Sequence, residues 1–377
     1  METNPTNNNH SKLETFSDEV FFEIFDRLSP SDLYKTFYGL NIRLNTILND
    51  SRMRFRDNLS SFNSKQFHSY VQNILPQIID RLISFTFGTY DTDEYQQVTL
   101  FLHKYSIDLS LFKHLRTLVI IKMTIADVQI VQSALVHLTN LVNIRLSVDS
   151  NDVDTTSFVH IGNNLITGPK LKRVKMDMCA RTIFENVTKS SNIEQLSIAW
   201  CEMQELTHLL QYSPYLCTLK ATICGLKYVD TWTQKIHGSL SQKCSLRLNS
   251  LKLVVDSIRF DYLLLLLHEL RQLRSLWLLL NHYEYMDADK WESLFQTSLI
   301  QLDQLDLTIA LTKPFLSVNT PGQFLMLSTP NTACTKFNTR FWFDRGWRGK
   351  LDEYDHCVRL TVSNHAVPIQ NKNRSHY

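Results

Sequence analysis

The chain has 377 residues, 44% of them apolar and 20% charged, and 39 basic against 37 acidic side chains give a net charge of +2. That balance offers no bulk electrostatic reason to expect a nucleic-acid or membrane partner. Glycine and proline, nine each, are too scarce for a collagen-like, linker-like or broadly disordered chain.

Residues 1–13 are asparagine-rich at their start and read as a disordered tail, neither a secretory signal nor a basic transit peptide. Residues 14–50 form a separate helical unit. Ser17 is placed to cap a first helix whose apolar face carries Val20, Phe21, Ile24, Phe25 and Leu28. Ser29-Pro30-Ser31-Asp32 stops that helix and starts a second, with Leu33, Phe37 and Leu40 on its face. Asn41-Ile42-Arg43-Leu44 leads into a third. Three such helices bury little area alone and need a partner or an attached domain. Residues 51–81 read as a helical connector, with Phe67, Tyr70, Val71, Ile74 and Leu75 at helix spacing.

From residue 82 to 310 the abundant leucine, 55 residues in all, falls into a repeating frame, L-x-x-L-x-L. It recurs at Leu115/Leu118/Ile120, Leu141/Ile144/Leu146, Leu171/Val174/Met176, Ile193/Leu196/Ile198 and Leu216/Leu219/Ala221. It continues at Leu248/Leu251/Leu253, Leu273/Leu276/Leu278 and Leu302/Leu305/Leu307, after a weaker copy at Leu82/Phe85/Phe87. The mean step is about 27 residues, within the range of leucine-rich repeats. The ninth positions read Met123, Asp149, Cys179, Cys201, Cys224, Asp256, Asn281 and Ala310, half of them Cys or Asn, which marks a structural role for those cysteines. Helix-period stretches at residues 204–212, 257–272 and 287–299 separate the frames, with Asp287 as a cap. One strand and one helix per repeat predict an α/β fold: a curved solenoid, parallel strands on the concave face and helices on the convex one. Residues 311–377 lose the rhythm and read as an irregular C-terminal cap, in which a last strand-like run, Cys357 to Val362, closes the stack.

No catalytic constellation is present. G-x-S-x-G, phosphate-loop, dinucleotide-glycine and H-E-x-x-H patterns are all missing. Seven cysteines contain no Cys-x-x-Cys pair, so neither a disulfide framework nor a zinc module is expected, and no cofactor is implied. The simplest home for such a chain is the cytosol or nucleus. The outward row of the strands reads Val119, Arg145, Lys175, Ser197, Lys220, Lys252, Trp277 and Asp306, with Arg173 in the neighbouring row. Arg145, Arg173, Lys175, Lys220 and Lys252 predict capture of an acidic or phosphorylated protein segment, with Trp277 as anchor.

The helical unit resembles an F-box. The family's opening Leu-Pro-x-Glu-aliphatic corresponds to Phe16-Ser17-Asp18-Glu19-Val20, followed by Ile24-Phe25, Leu28-Ser29-Pro30-Ser31-Asp32-Leu33 and Asn41-x-Arg43-Leu44. Phe16-Ser17 replaces Leu-Pro, and Leu44 replaces the usual tryptophan. Followed by Cys-type leucine-rich repeats, the pattern is similar to a known F-box subfamily. The resemblance implies a three-helix F-box that docks on a Skp-type adaptor and, through it, on a cullin-RING ubiquitin ligase. Phe16, Ser17, Glu19, Val20, Ile24, Phe25, Leu28, Leu33, Phe37, Leu40 and Leu44 would face the adaptor. The alternative is a non-catalytic leucine-rich scaffold or recognition protein whose N-terminal helices cap the stack.

Overall fold

The computed structural model describes residues 15–89, 96–148, 165, 168–179, 187, 189–224, 247–312, 334–354 and 357–364. The chain divides into two compact units, residues 1–149 and 150–377.

Three short helices open the first unit: α1 (Asp18–Phe25), α2 (Pro30–Thr36) and α3 (Ile42–Leu48). Their starts follow from local chemistry. Ser29 Oγ accepts the Asp32 amide at 3.1 Å, ahead of Pro30 in the first turn. Asn41 Oδ1 accepts the Leu44 amide at 2.8 Å. Each bond satisfies an amide that the helix leaves without an internal partner. Ser17 occupies the cap position of α1, but its side chain makes no capping bond. Phe21, Phe25, Leu33, Leu44 and Leu48 are buried, and the Phe25 ring lies 5.5 Å from Phe21 and 5.0 Å from Phe37.

The connector departs from the all-helical expectation. A strand, β1 (Phe55–Asn58), precedes α4 (Ser64–Asn73). β1 alternates buried and exposed residues and runs parallel to β2 (Leu82–Phe87), so Phe55 and Asp57 turn inward. Arg56 turns outward toward Asp26, at 3.4 Å. Buried Arg81 donates to the carbonyls of Leu48 (2.7 Å), Asp50 (3.2 Å) and Gln77 (2.7 Å). Its charge sits where the C-terminal carbonyls of α3 lack amide partners, and it ties that helix to the connector.

Strands β3 (Thr117–Met123) and β4 (Asn143–Val148) continue the parallel pairing. Between them, the helix Ile125–Leu135 begins in a reciprocal box of Thr124 and Asp127. The Asp127 carboxylate is fully buried and accepts from Thr124 N and Oγ1 (both 2.8 Å) and from Thr99 Oγ1 (3.1 Å), and His103 Nε2 lies 3.1 Å away. A fully buried carboxylate persists only with such bonding.

The second unit stacks six parallel strands in sequence order: β5 (Arg173–Cys179), β6 (Gln195–Glu202), β7 (Thr218–Cys224), β8 (Ser250–Asp256), β9 (Ser275–Leu280) and β10 (Gln304–Thr312). Helices Met203–Tyr212, Phe260–His268 and Ala288–Thr297 follow β6, β8 and β9. Asp287 caps the last of these by accepting the Lys290 amide at 3.2 Å.

Across both units every apolar position of all nine frames is at most 5% exposed. Each such burial contributes about 2 kcal/mol. The ninth positions are more varied: Met123 and Cys201 are buried, and the Cys224 thiol lies 3.7 Å from the Cys201 carbonyl, joining successive turns. Asn281 instead donates to the Asp256 carboxylate. Asp149 lies outside the described residues.

Among the described residues of the C-terminal region, the expected last strand is present together with two further elements. A short helix, Arg340–Asp344, leads to β11 (Arg348–Glu353) and β12 (Cys357–Ser363). β12 pairs antiparallel with β10, and β11 with β12. Buried Trp342 and Trp347 lie 5.8 and 5.1 Å from the Phe295 ring, so these two tryptophans belong to a packed core. The fold is therefore α/β with mostly parallel strands, as expected from the frame. Among the described residues no helix is long and apolar enough to cross a membrane.

Candidate interaction surfaces

The helical module sorts its residues into two sets. Phe25, Leu33 and Leu44, expected at a partner interface, are buried inside the module. Phe25 lies between its i, i+4 neighbour Phe21 and Phe37. Ile24 and Phe37 are half-buried. Phe16, Val20, Leu28 and Leu40 are exposed, as are Ser17 and Glu19.

Two further exposed apolar residues were not among the expected contacts: Tyr38, and Ile42, which is 86% exposed. Both flank the turn at Gly39, whose φ of +85° needs glycine. That turn signal, set between apolar residues, is what could have singled them out.

Local charges fix the start of α1. Arg43 donates to Asp18 Oδ1 from Nε (2.9 Å) and Nη2 (2.7 Å), and Nη2 also reaches the Phe16 carbonyl at 2.6 Å. The Ser17 hydroxyl, free of capping duty, holds the Glu19 carboxyl below its ordinary range. Asp18 and Arg43 thus brace one another across α1 and α3.

On the strands of the second unit the expected outward row is real. Lys175, Ser197, Lys220, Lys252, Trp277 and Asp306 stand in register on six consecutive strands. In the first unit Arg145 pairs in register with Val119. Arg173 is exposed and aligned with Gln195.

Their partners differ from the expectation. Lys175 Nζ lies 3.2 Å from Asp177 Oδ2, two residues on and therefore on the same strand face. Lys252 Nζ lies 3.9 Å from the ring centre of half-buried Trp277. Burial lowers the Lys252 ammonium pKa, Lys220 lowers it further, and Asp306 opposes both. Burial in turn raises the Asp306 carboxyl, against the pull of Lys252 and of the Trp277 side chain. Lys220 remains exposed, with no ion pair among the described residues.

The neighbouring row that holds Arg173 continues through Gln195 to Thr218, Ser250 and Ser275, which stand in register two residues before Lys220, Lys252 and Trp277, on the same face. The strand period alone would have placed these hydroxyls beside the lysines. Two ammonium groups and three hydroxyls make a donor-rich surface suited to an oxyanion.

Among the described residues no three His, Cys, Asp or Glu side chains group in a way that could hold a metal ion. No protein-family model matches the chain, and no curated protein matches it significantly.

Proposed function

We propose that this chain is the substrate-selecting subunit of a Skp-cullin-F-box ubiquitin ligase, working in the cytosol or nucleus. The observation that carries the reading is the pairing of two elements in one sequence. A three-helix module presents Val20, Leu28, Leu40 and Ile42 to solvent, and a leucine-framed strand array follows it. Exposed aliphatic residues on so small a module fit docking on an adaptor's apolar surface. The chain supplies no chemistry of its own; it holds a cargo protein where other subunits act on it.

In this reading the repeats form a solenoid, and its strand face captures cargo through Lys220 and Lys252, flanked by the hydroxyl row. An acidic or phosphorylated segment complements those donors. Trp277 serves as the anchor expected of it and also holds Lys252 in place.

Two observations favour a second reading, a leucine-rich scaffold without ligase association. Phe25, Leu33 and Leu44 are buried, and Arg81 ties α3 to the connector, as befits a cap.

Co-purification with a Skp-type adaptor separates the two. Val20→Glu and Ile42→Glu are the informative variants, since Phe25→Glu would break the core. The ligase reading expects wild type to retain the adaptor and both variants to lose it. Failure of wild type to retain it supports the scaffold.

A further inference from the structure

The outward residues of β7 to β10 alternate with buried ones and stand in register as successive rows on one face. Thr218, Ser250 and Ser275 form one row, and Lys220, Lys252, Trp277 and Asp306 the next. Two residues further on come Thr222, Val254, Leu279 and Thr308. Val254 and Leu279 are half-buried neighbours on adjacent strands, where a merely solvated face would carry polar side chains. Leu279 also follows Trp277 by two positions on its own strand. The face is therefore divided: hydroxyls and ammonium groups on β7 and β8, and an apolar patch of Trp277, Val254 and Leu279 beside them.

The donor side matches a phosphate better than a carboxylate. Lys220 and Lys252 stand directly opposite one another on adjacent strands, a like-charge pairing that costs stability unless an anion lies between them. A phosphate group brings a charge near −2 and three acceptor oxygens, enough for both ammonium groups and the Thr218 and Ser250 hydroxyls; a carboxylate brings one charge and two oxygens. Asp306, beyond Trp277 in the same row, repels an anion from the β10 side and directs it to Lys220. The apolar pair lies one row past the lysines, about 7 Å along the strands, which is also the step between side chains two apart in an extended peptide.

We propose that this face selects a phosphorylated segment carrying an aliphatic residue two positions from its phosphoserine. The phosphate sits on Lys220, Lys252, Thr218 and Ser250, and the aliphatic side chain packs on Val254 and Leu279 beside Trp277. This selectivity rests on the reading of the strand face as a cargo surface. Register sets the spacing, and a peptide of either chain direction meets it.

Fluorescence anisotropy of the full chain with labelled peptides tests it. A peptide with phosphoserine and leucine two positions apart, in the better of its two orders, should bind at least about tenfold tighter than its unphosphorylated form or its glutamate analogue. It should also bind about tenfold tighter than one with the leucine moved next to the phosphoserine. Lys220→Met should lose the preference for phosphate and keep that for spaced leucine. Val254→Thr with Leu279→Thr, which keeps strand-forming side chains, should do the reverse; general damage would abolish both preferences together. Equal binding of the phosphorylated and glutamate peptides, indifference to the position of leucine, or no binding of any peptide by folded wild type overturns the proposal. Retention of a Skp-type adaptor by the same preparation separates the two questions. A chain that holds the adaptor but shows no peptide selectivity strikes only this surface, whereas selectivity without adaptor binding upholds the surface and strikes the ligase reading.

Discussion

The ammonium group of Lys252 lies 3.9 Å from the centre of the Trp277 ring on the adjacent strand. A cation over an aromatic face at this range contributes about 0.5–1 kcal/mol where partly exposed. The same lysine is flanked in register by Lys220 on one side and, beyond Trp277, by Asp306. Its surroundings therefore hold it in one place at the centre of the strand face.

The ionisation of Lys252 reports this arrangement. Its ammonium should titrate below ordinary lysines, because burial and Lys220 both disfavour the charged form. Lys220→Met removes one repulsion and should raise the midpoint. Asp306→Asn removes the opposing attraction and should lower it. Side-chain NMR of labelled lysine, followed against pH, checks both directions.

Gly88 has a φ of +94°, and a Cβ there would lie 2.0 Å from the Ile121 carbonyl oxygen. Its amide also bonds the buried Gln97 side chain, whose Nε2 donates to the Leu59 carbonyl at 2.9 Å. Both the backbone conformation and the space exclude a side chain. Gly88→Ala should destabilise the chain by at least about 2 kcal/mol. Urea unfolding followed by circular dichroism measures it, and a cost below 0.5 kcal/mol would contradict the account.

Arg81 binds three carbonyls from two segments. Arg81→Met leaves the carbonyls of the buried Leu48 bond and the part-buried Asp50 and Gln77 bonds with one partner fewer each, and the loss should be about 2–4 kcal/mol. Arg81→Lys should rescue less than half, since one ammonium cannot reproduce the planar fork. Full rescue by lysine, seen in thermal melts, would show that charge alone matters.

Much of this fold was legible because burial on one side imposes a period of two. Leu, Ile, Val and Met at alternate positions could only be strand interiors, and every frame residue is buried. β1 was not legible: Phe55-Arg56-Asp57-Asn58 is short, and its inward Asp57 looks like a solvent residue. The helical module was half legible. Spacing identified the apolar face of α1, but it could not say that Phe25, Leu33 and Leu44 would be buried while Val20 and Ile42 stay exposed. On the strand face, register placed the lysines in a row. Their pairings depend on rotamers and neighbouring strands: Lys175 with Asp177, and Lys252 with Trp277.

Overall stability should carry the signature of Asp57. Its raised value, about 6 against 3.8 unfolded, implies that its contribution is full below the unfolded value and falls as pH rises through the folded one. Between pH 5 and pH 7 it should remove about 1 kcal/mol. Urea titrations at the two pH values should show this difference in wild type and a smaller one in Asp57→Asn. A pH dependence that is the same in both proteins would assign the effect elsewhere.

Calorimetric titration of the full chain with a purified Skp-type adaptor tests the central claim most directly. A one-to-one complex is expected, weakened at least tenfold by Ile42→Glu and unchanged by Lys220→Glu, which lies on the strand face. No heat of binding by folded wild type, or equal binding by Ile42→Glu, would contradict the claim that the three-helix module docks this chain on a ubiquitin ligase.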